Sequence, residues 1–194
     1  MTNVPELPNT DYMREEPVSS TLIHQGRVVG FYDDVIRLPD GRTSHRDILK
    51  HPGGVTMAPV LPDGRVVMVQ QWRYATGQAL LEFPAGKLDT LPTGEKEDPL
   101  LAAQRELAEE TGLHSEDWES LPAIYTAPGF CDERLWLFIA HNATPLANNP
   151  HNPDDDELLN VVTLTKNEAW GLARASLIVD AKTICLLGFL GVFA

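Results

Sequence analysis

An α+β architecture is predicted by three features of this sequence. Short runs of strand-like alternation, separated by Pro, Asp and Gly, fill most of residues 18–72. One helical segment, residues 98–111, carries start and stop signals at its two ends, and two further helical segments lie late in the chain. Strands precede and interleave with these few helices, so the expected core is a mixed sheet between helices, not a doubly wound parallel one.

In chain order, residues 1–17 are rich in Pro, Asn and Glu and read as a flexible tail. Residues 18–52 read as a small N-terminal antiparallel sheet, with strands at 21–24, 27–32, 33–38 and 44–50 and a turn at Pro39-Asp40-Gly41. His51-Pro52-Gly53-Gly54 breaks the chain, and residues 53–194 form the main domain. There, residues 55–61 and 66–72 flank Pro62-Asp63-Gly64 and read as a hairpin. Short strands are expected at 80–83, 123–125, 135–140 and 158–164, with a polar loop at 142–157. Helices are expected at 98–111, 166–174 and 181–192.

Composition narrows the partners. The chain has 194 residues and is 43% hydrophobic, enough to bury a proper core. Its 15 Lys+Arg against 28 Asp+Glu give a net charge of −13, the wrong sign for displacing counterions from a nucleic-acid duplex. An anionic substrate would need metal cations or a few placed arginines. Cys131 and Cys185 have no CxxC spacing and read as reduced thiols. The N-terminus has no apolar signal core, and the apolar run 184–194 is about half a membrane span, so a cytoplasmic protein without a membrane partner is expected.

The most informative segment is the helix at 98–111. Asp98 suits its N-cap, Pro99 its first turn, and Gly112 the left-handed position just past its end. Leu100, Ala103 and Leu107 form an apolar stripe. Glu106, Glu109 and Glu110, at i, i+3 and i+4, share one face within about 100° of arc. Like charges so placed repel. Either the face is simply solvated, which is common, or a hard cation such as Mg²⁺ converts the repulsion into ligation.

The surrounding pattern favours the second option. Arg105-Glu106-Leu107-Ala108-Glu109-Glu110-Thr111-Gly112-Leu113, with Glu97 seven residues ahead, resembles the Nudix box. The box is a Gly, five residues, a Glu, seven residues, then Arg-Glu-apolar-x-Glu-Glu-x-Gly-apolar. This chain has Leu91 where the opening Gly belongs, and Gly86 is its evident counterpart, so five extra residues precede the helix. Further segments resemble the ADP-ribose pyrophosphatase branch, among them residues 46–55, Gln70-Gln71-Trp72-Arg73-Tyr74, Leu81-Glu82-Phe83-Pro84-Ala85-Gly86-Lys87, residues 128–134 and residues 178–183.

The resemblance implies a Nudix fold and hydrolysis of ADP-ribose, or a related nucleoside diphosphate derivative, with Mg²⁺ or in its place Mn²⁺. It assigns metal binding to the Ala85 carbonyl, Glu106 and Glu110, and catalysis to Arg105, Glu109 and Glu157, the last positioning water. Asp154, Asp155 and Asp156 stand beside Glu157 as neighbouring candidates. Arg73 would meet phosphate, while Arg46 and Glu133 would lie at the adenosine or ribose ends. It also implies a homodimer whose N-terminal strands, residues 18–52, reach the partner. Activity on another nucleotide sugar, a silent ligand-sensing domain and a plain scaffold remain the alternatives.

Overall fold

In the computed structural model, which describes residues 6–147 and 158–191, the chain divides into two units. One is Met1–His51 with Ala127–Asp132, and the other is Pro52–Thr126 with Glu133–Ala194.

The first unit is an antiparallel sheet of β1 (Glu16–Gln25), β2 (Gly30–Arg37) and β3 (Thr43–Lys50), in that order. Gly41 closes the β2–β3 turn with a positive φ of 88°, a conformation that glycine reaches without strain. The Asp40 carboxylate accepts hydrogen bonds from the Arg42 backbone N–H and Nε, at 3.0 and 2.7 Å. Two expectations need correction. β1 begins at Glu16, not at residue 21, and residues 30–37 form one strand where two were expected. Irregular register at Pro17/Ser19 and Leu22/His24 spoils the two-residue period on which a local reading relies. Residues 127–132 run beside β3, where the Leu49 N–H donates to the Phe130 carbonyl at 2.7 Å.

The second unit contains β4 (Gly54–Pro59), β5 (Val66–Arg73), β6 (Gln78–Glu82), β7 (Ala85–Lys87), α1 (Pro99–Thr111), β8 (Leu113–His114), β9 (Asp117–Ser120), β10 (Ile124–Tyr125), β11 (Arg134–His141), β12 (Thr144–Pro145), β13 (Leu159–Leu164), α2 (Lys166–Arg174) and α3 (Ala181–Phe189). The main sheet has the order β10-β11-β4-β7 with β9 also on β11, and it is mixed because β11 runs parallel to β4. A second, antiparallel sheet has the order β13-β5-β6.

Alternation along β11 shows how the layers form. Leu135, Leu137 and Ile139 pack in one cluster with Ala169 of α2 and Leu186 and Leu187 of α3. Phe138 and Ala140 pack in the other with Ala102, Ala103 and Leu107 of α1. Successive strand residues point to opposite faces, so helices cover both sides of the sheet and every residue of β4 is buried. The predicted hairpin at Pro62-Asp63-Gly64 forms its turn but not its ladder: Val60 and Val66 make a single bridge. β4 pairs with β11 and β7, whereas β5 pairs with β13 and β6, so the turn carries the chain from one sheet to the other. The last helix ends at Phe189, short of the expected 192.

Candidate active site

The site begins with a short segment fixed at every residue. The Phe83 N–H donates to Thr183 Oγ1 at 2.9 Å. The Pro84 carbonyl accepts from Thr56 Oγ1 at 3.0 Å and from the Met57 N–H at 3.1 Å. The Ala85 N–H donates to Glu110 Oε2 at 3.1 Å. At Gly86 an added Cβ would fall 1.8 Å from the carboxyl carbon of Glu106, so glycine here leaves room for that carboxyl group beside β7.

The helix α1 is placed by its ends. Asp98 caps it, accepting from the Leu100 and Leu101 N–H groups at 2.9 and 3.2 Å, and Gly112 ends it with φ 68°. The five extra residues make a small turned loop. Thr90 and Lys96 bridge at its base, and the Glu97 N–H donates to the Asp89 carbonyl at 2.9 Å. The loop thus returns the chain to the start of α1 without displacing Glu97.

Arg105 gathers the acidic groups. Its Nε and Nη2 meet the two oxygens of Glu97 at 3.2 and 3.0 Å, and its Nη1 meets both Glu106 Oε1 and Glu109 Oε2 at 2.8 Å. Nη2 also donates to the Lys87 carbonyl at 3.3 Å. Burial works against the guanidinium charge, but the hydrogen bonds to Glu97 and the charge of Glu106 outweigh it and raise the Arg105 pKa further. A cation internal to the chain already offsets much of the glutamate repulsion, so repulsion alone does not require a metal ion.

Ala85, Gly86, Lys87, Asp89, Arg105, Glu106 and Glu109 line a polar cleft of about 200 Å³. Among the described residues no three His, Cys, Asp or Glu side chains converge as a ready metal cluster. The oxygen donors here are carboxylates and main-chain carbonyls, hard ligands of the kind Mg²⁺ accepts from a protein while taking its other positions from water and phosphate. That donor chemistry fits the ion. A larger cavity of about 450 Å³, lined by Leu61, Val67, Leu113, Ala143 and Val161, is apolar and lacks converging charges.

A second charged group adjoins the fixed segment. Arg73 at the end of β5 holds buried Glu82 with two bonds, Nε to Oε1 at 2.7 Å and Nη2 to Oε2 at 2.8 Å. Lys182 of α3 also bonds Glu82 Oε2 and pairs with Asp180 at 3.0 Å. Burial alone would raise the Glu82 carboxyl, but the Arg73 hydrogen bonds and the Lys182 charge hold it below the usual carboxylate range. The hydrogen bond to Glu82 raises the Arg73 pKa, and the charge of Glu110 adds to the effect.

Of the residues picked from sequence, Ala85, Arg105, Glu106, Glu109 and Glu110 come together at β7 and α1. Arg73 reaches the same segment through its bonds to Glu82, three residues before Ala85. Glu133 precedes β11, accepts from Thr126 Oγ1 at 2.5 Å and is not among the residues lining the cleft. Arg46 lies in the first unit and pairs with Glu15. Glu157 and Asp154–Asp156 lie outside the described residues. Sequence reasoning gave no role to Glu82, Asp180, Lys182 or Thr183. The available signal was a lone carboxylate within the apolar run at residues 80–83.

Known proteins share both pattern and fold. A family model described as NUDIX domain matches residues 50–185. The chain is 36% identical over 176 residues to a protein of Bacillus methanolicus named methanol dehydrogenase activator, covering 91% of this chain and 92% of that one. It is 34% identical over 178 residues to an ADP-ribose pyrophosphatase of Bacillus subtilis (strain 168), covering 92% and 93%. A solved structure described as an ADP compounds hydrolase superimposes with a TM-score of 0.77 at 19% identity, over 94% of this chain and 95% of that one, a likeness of fold. The carboxylate-bearing helix packed on β7 falls inside the matched domain, and relatives align over more than 90% of both chains: this protein belongs to the Nudix family.

Proposed function

We propose that this Nudix hydrolase cleaves the pyrophosphate bond of ADP-ribose, giving AMP and ribose 5-phosphate, with Mg²⁺ as its metal and Mn²⁺ as a substitute. The observation that carries the reading is the cleft in which Arg105 holds Glu97, Glu106 and Glu109 against the Ala85–Lys87 strand. The name of the Bacillus subtilis relative supports the choice of substrate.

In this reading Glu106, Glu110 and the Ala85 carbonyl hold the ion. A divalent cation bound there withdraws charge from phosphate oxygens and acidifies water. The chain's own groups do the rest. Arg105 fixes Glu106 and Glu109, so that the carboxylates meet the substrate already oriented. Arg73 uses two of its nitrogens on Glu82, which leaves Nη1 to donate to a phosphate oxygen as charge grows on it. Glu157, or one of Asp154–Asp156 beside it, orients the attacking water and takes its proton. Arg46 and Glu133 bind the adenosine or ribose ends.

The reading extends to a cytoplasmic homodimer. β1 is an edge strand exposed at every residue, with Val18, Leu22 and Ile23 among them, and such an edge offers backbone and apolar surface to a second chain. Among the described residues no helix is long and apolar enough to cross a membrane.

A panel of ADP-ribose, other nucleoside diphosphate sugars, nucleoside triphosphates and dinucleoside polyphosphates, each with Mg²⁺, tests the function. The highest kcat/KM is expected for ADP-ribose. A preference for triphosphates would overturn the substrate assignment.

A further inference from the structure

Among the described residues of the second unit Glu82 is the deepest charge, 1% exposed, and it is shared by two cations. Arg73 grips both of its oxygens, and Lys182 bonds one of them. Lys182 is itself 12% exposed and is held from the other side by Asp180, the N-cap residue of α3. Asp180 also receives the Thr183 N–H at 3.0 Å and its hydroxyl at 2.6 Å, and that hydroxyl in turn receives the Phe83 N–H at 2.9 Å. The first turn of α3 therefore fixes Glu82 through its side chain and Phe83 through its backbone, two residues and one residue before Pro84.

Charge accounting gives this arrangement a consequence. A carboxylate buried with a single cation draws that cation inward, because leaving the charge short of hydrogen bonds is expensive in a poorly solvated place. Lys182 supplies a second donor to Glu82. Arg73 can then keep its two-bond geometry on the carboxylate while its side chain remains 37% exposed and its Nη1 stays outside the bonds to Glu82.

We infer that Lys182, anchored by Asp180, is a positioning residue that sets Arg73 through Glu82 and so fixes the direction in which Arg73 presents its charge to substrate. The inference rests on the proposed phosphate-binding role of Arg73. Lys182 bonds Glu82 and Asp180, not the carboxylates of α1.

The test is a double-mutant cycle on full-length protein, using Lys182→Met and Arg73→Ala alone and together. Two quantities are measured, kcat/KM for ADP-ribose with Mg²⁺ and the Kd for ADP-ribose by calorimetry with excess chelator. Lys182→Met is expected to lower kcat/KM about tenfold and to weaken metal-free binding in the native background. In the Arg73→Ala background it should change neither quantity. Lys182→Arg, which keeps the charge and a donor, should restore most of the loss. Thermal unfolding checks that each variant is folded, and if Lys182→Met is not, Asp180→Asn takes its place in the cycle with the same expectation. An equal loss in both backgrounds, or no loss in the native one, overturns the inference while leaving the function intact. A native enzyme that neither binds nor hydrolyses ADP-ribose overturns the function, and the inference with it.

Discussion

At the scale of single residues, two glycines separate function from stability. A Cβ on Gly86 would strike the end of a side chain, the carboxyl group of Glu106, whereas one on Gly54 would lie 2.6 Å from the backbone oxygen of Gly86. A side-chain tip can swing aside and a strand backbone cannot. Gly86→Ala should therefore keep its Tm within a few degrees of the native value yet lose about a hundredfold in kcat, because Glu106 has moved. Gly54→Ala should lower Tm by about 4–8 °C, as overpacking of roughly 2 kcal/mol would in a chain of this length. Differential scanning calorimetry beside a turnover assay distinguishes the two. Glu82 makes a pH prediction. Its folded pKa is depressed, so its contribution to stability is present above the ordinary glutamate value near 4.5 and is lost as pH falls through the lower folded value. A Tm-against-pH series should thus show a shallower acid decline for Glu82→Gln than for the native chain. These residues differ in how readable they are. Glu97, Arg105, Glu106, Glu109 and Glu110 declare themselves because one helix and the turn before it set their spacing. The Glu82–Lys182 bond joins positions 100 residues apart, which no local pattern encodes.

At the scale of elements, helices were legible and strand partners were not. Residues 98–112 carry their own boundary chemistry, and the helix lies where Asp98, Pro99 and Gly112 put it. Removing that cap in Asp98→Ala should cost about 1 kcal/mol and about 2–4 °C in Tm. Helix α2 likewise sits on its expected residues, closed by the reciprocal Thr165–Glu168 capping box. Strand pairing depends on distant sequence. The Pro62-Asp63-Gly64 turn was read correctly, yet β4 found its partners in β11 and β7. The five-residue insertion yields a sharper prediction. Thr90 and Lys96 already face each other across its base, at the roughly 4.5–5.5 Å separation of paired strand residues, close to the 3.8 Å of a single peptide step. Deleting residues 91–95 should leave the Glu97–Arg105 pair, the fold by circular dichroism and kcat/KM within about threefold of native. A large loss would show that the loop itself contributes to the site.

At the scale of the whole molecule, net charge argued against a nucleic-acid surface, while the hydrolytic site was legible only through the resemblance of residues 97–113 to the Nudix box, with which the family match agrees. The N-terminal unit was legible as strands but not as to register, because bulges in β1 interrupt its period. Its proposed exchange between subunits can be checked by complementation. Arg46→Ala and Glu110→Gln chains, each nearly inactive alone, should regain part of the activity on co-refolding if strands carrying Arg46 serve the neighbouring site. No recovery is expected if each chain serves itself, and a monomer by light scattering would exclude the exchange. The claim on which all of this depends is that the cleft between β7 and α1 performs metal-dependent pyrophosphate hydrolysis. The most direct measurement is turnover of ADP-ribose, followed by chromatography of the products, for the native chain with Mg²⁺, for the native chain in excess chelator, and for Glu106→Gln with Mg²⁺. AMP and ribose 5-phosphate are expected in the first case, none in the second, and a rate lower by about a hundredfold or more in the third. Undiminished turnover in chelator, or near-native turnover by a folded Glu106→Gln, would contradict the claim.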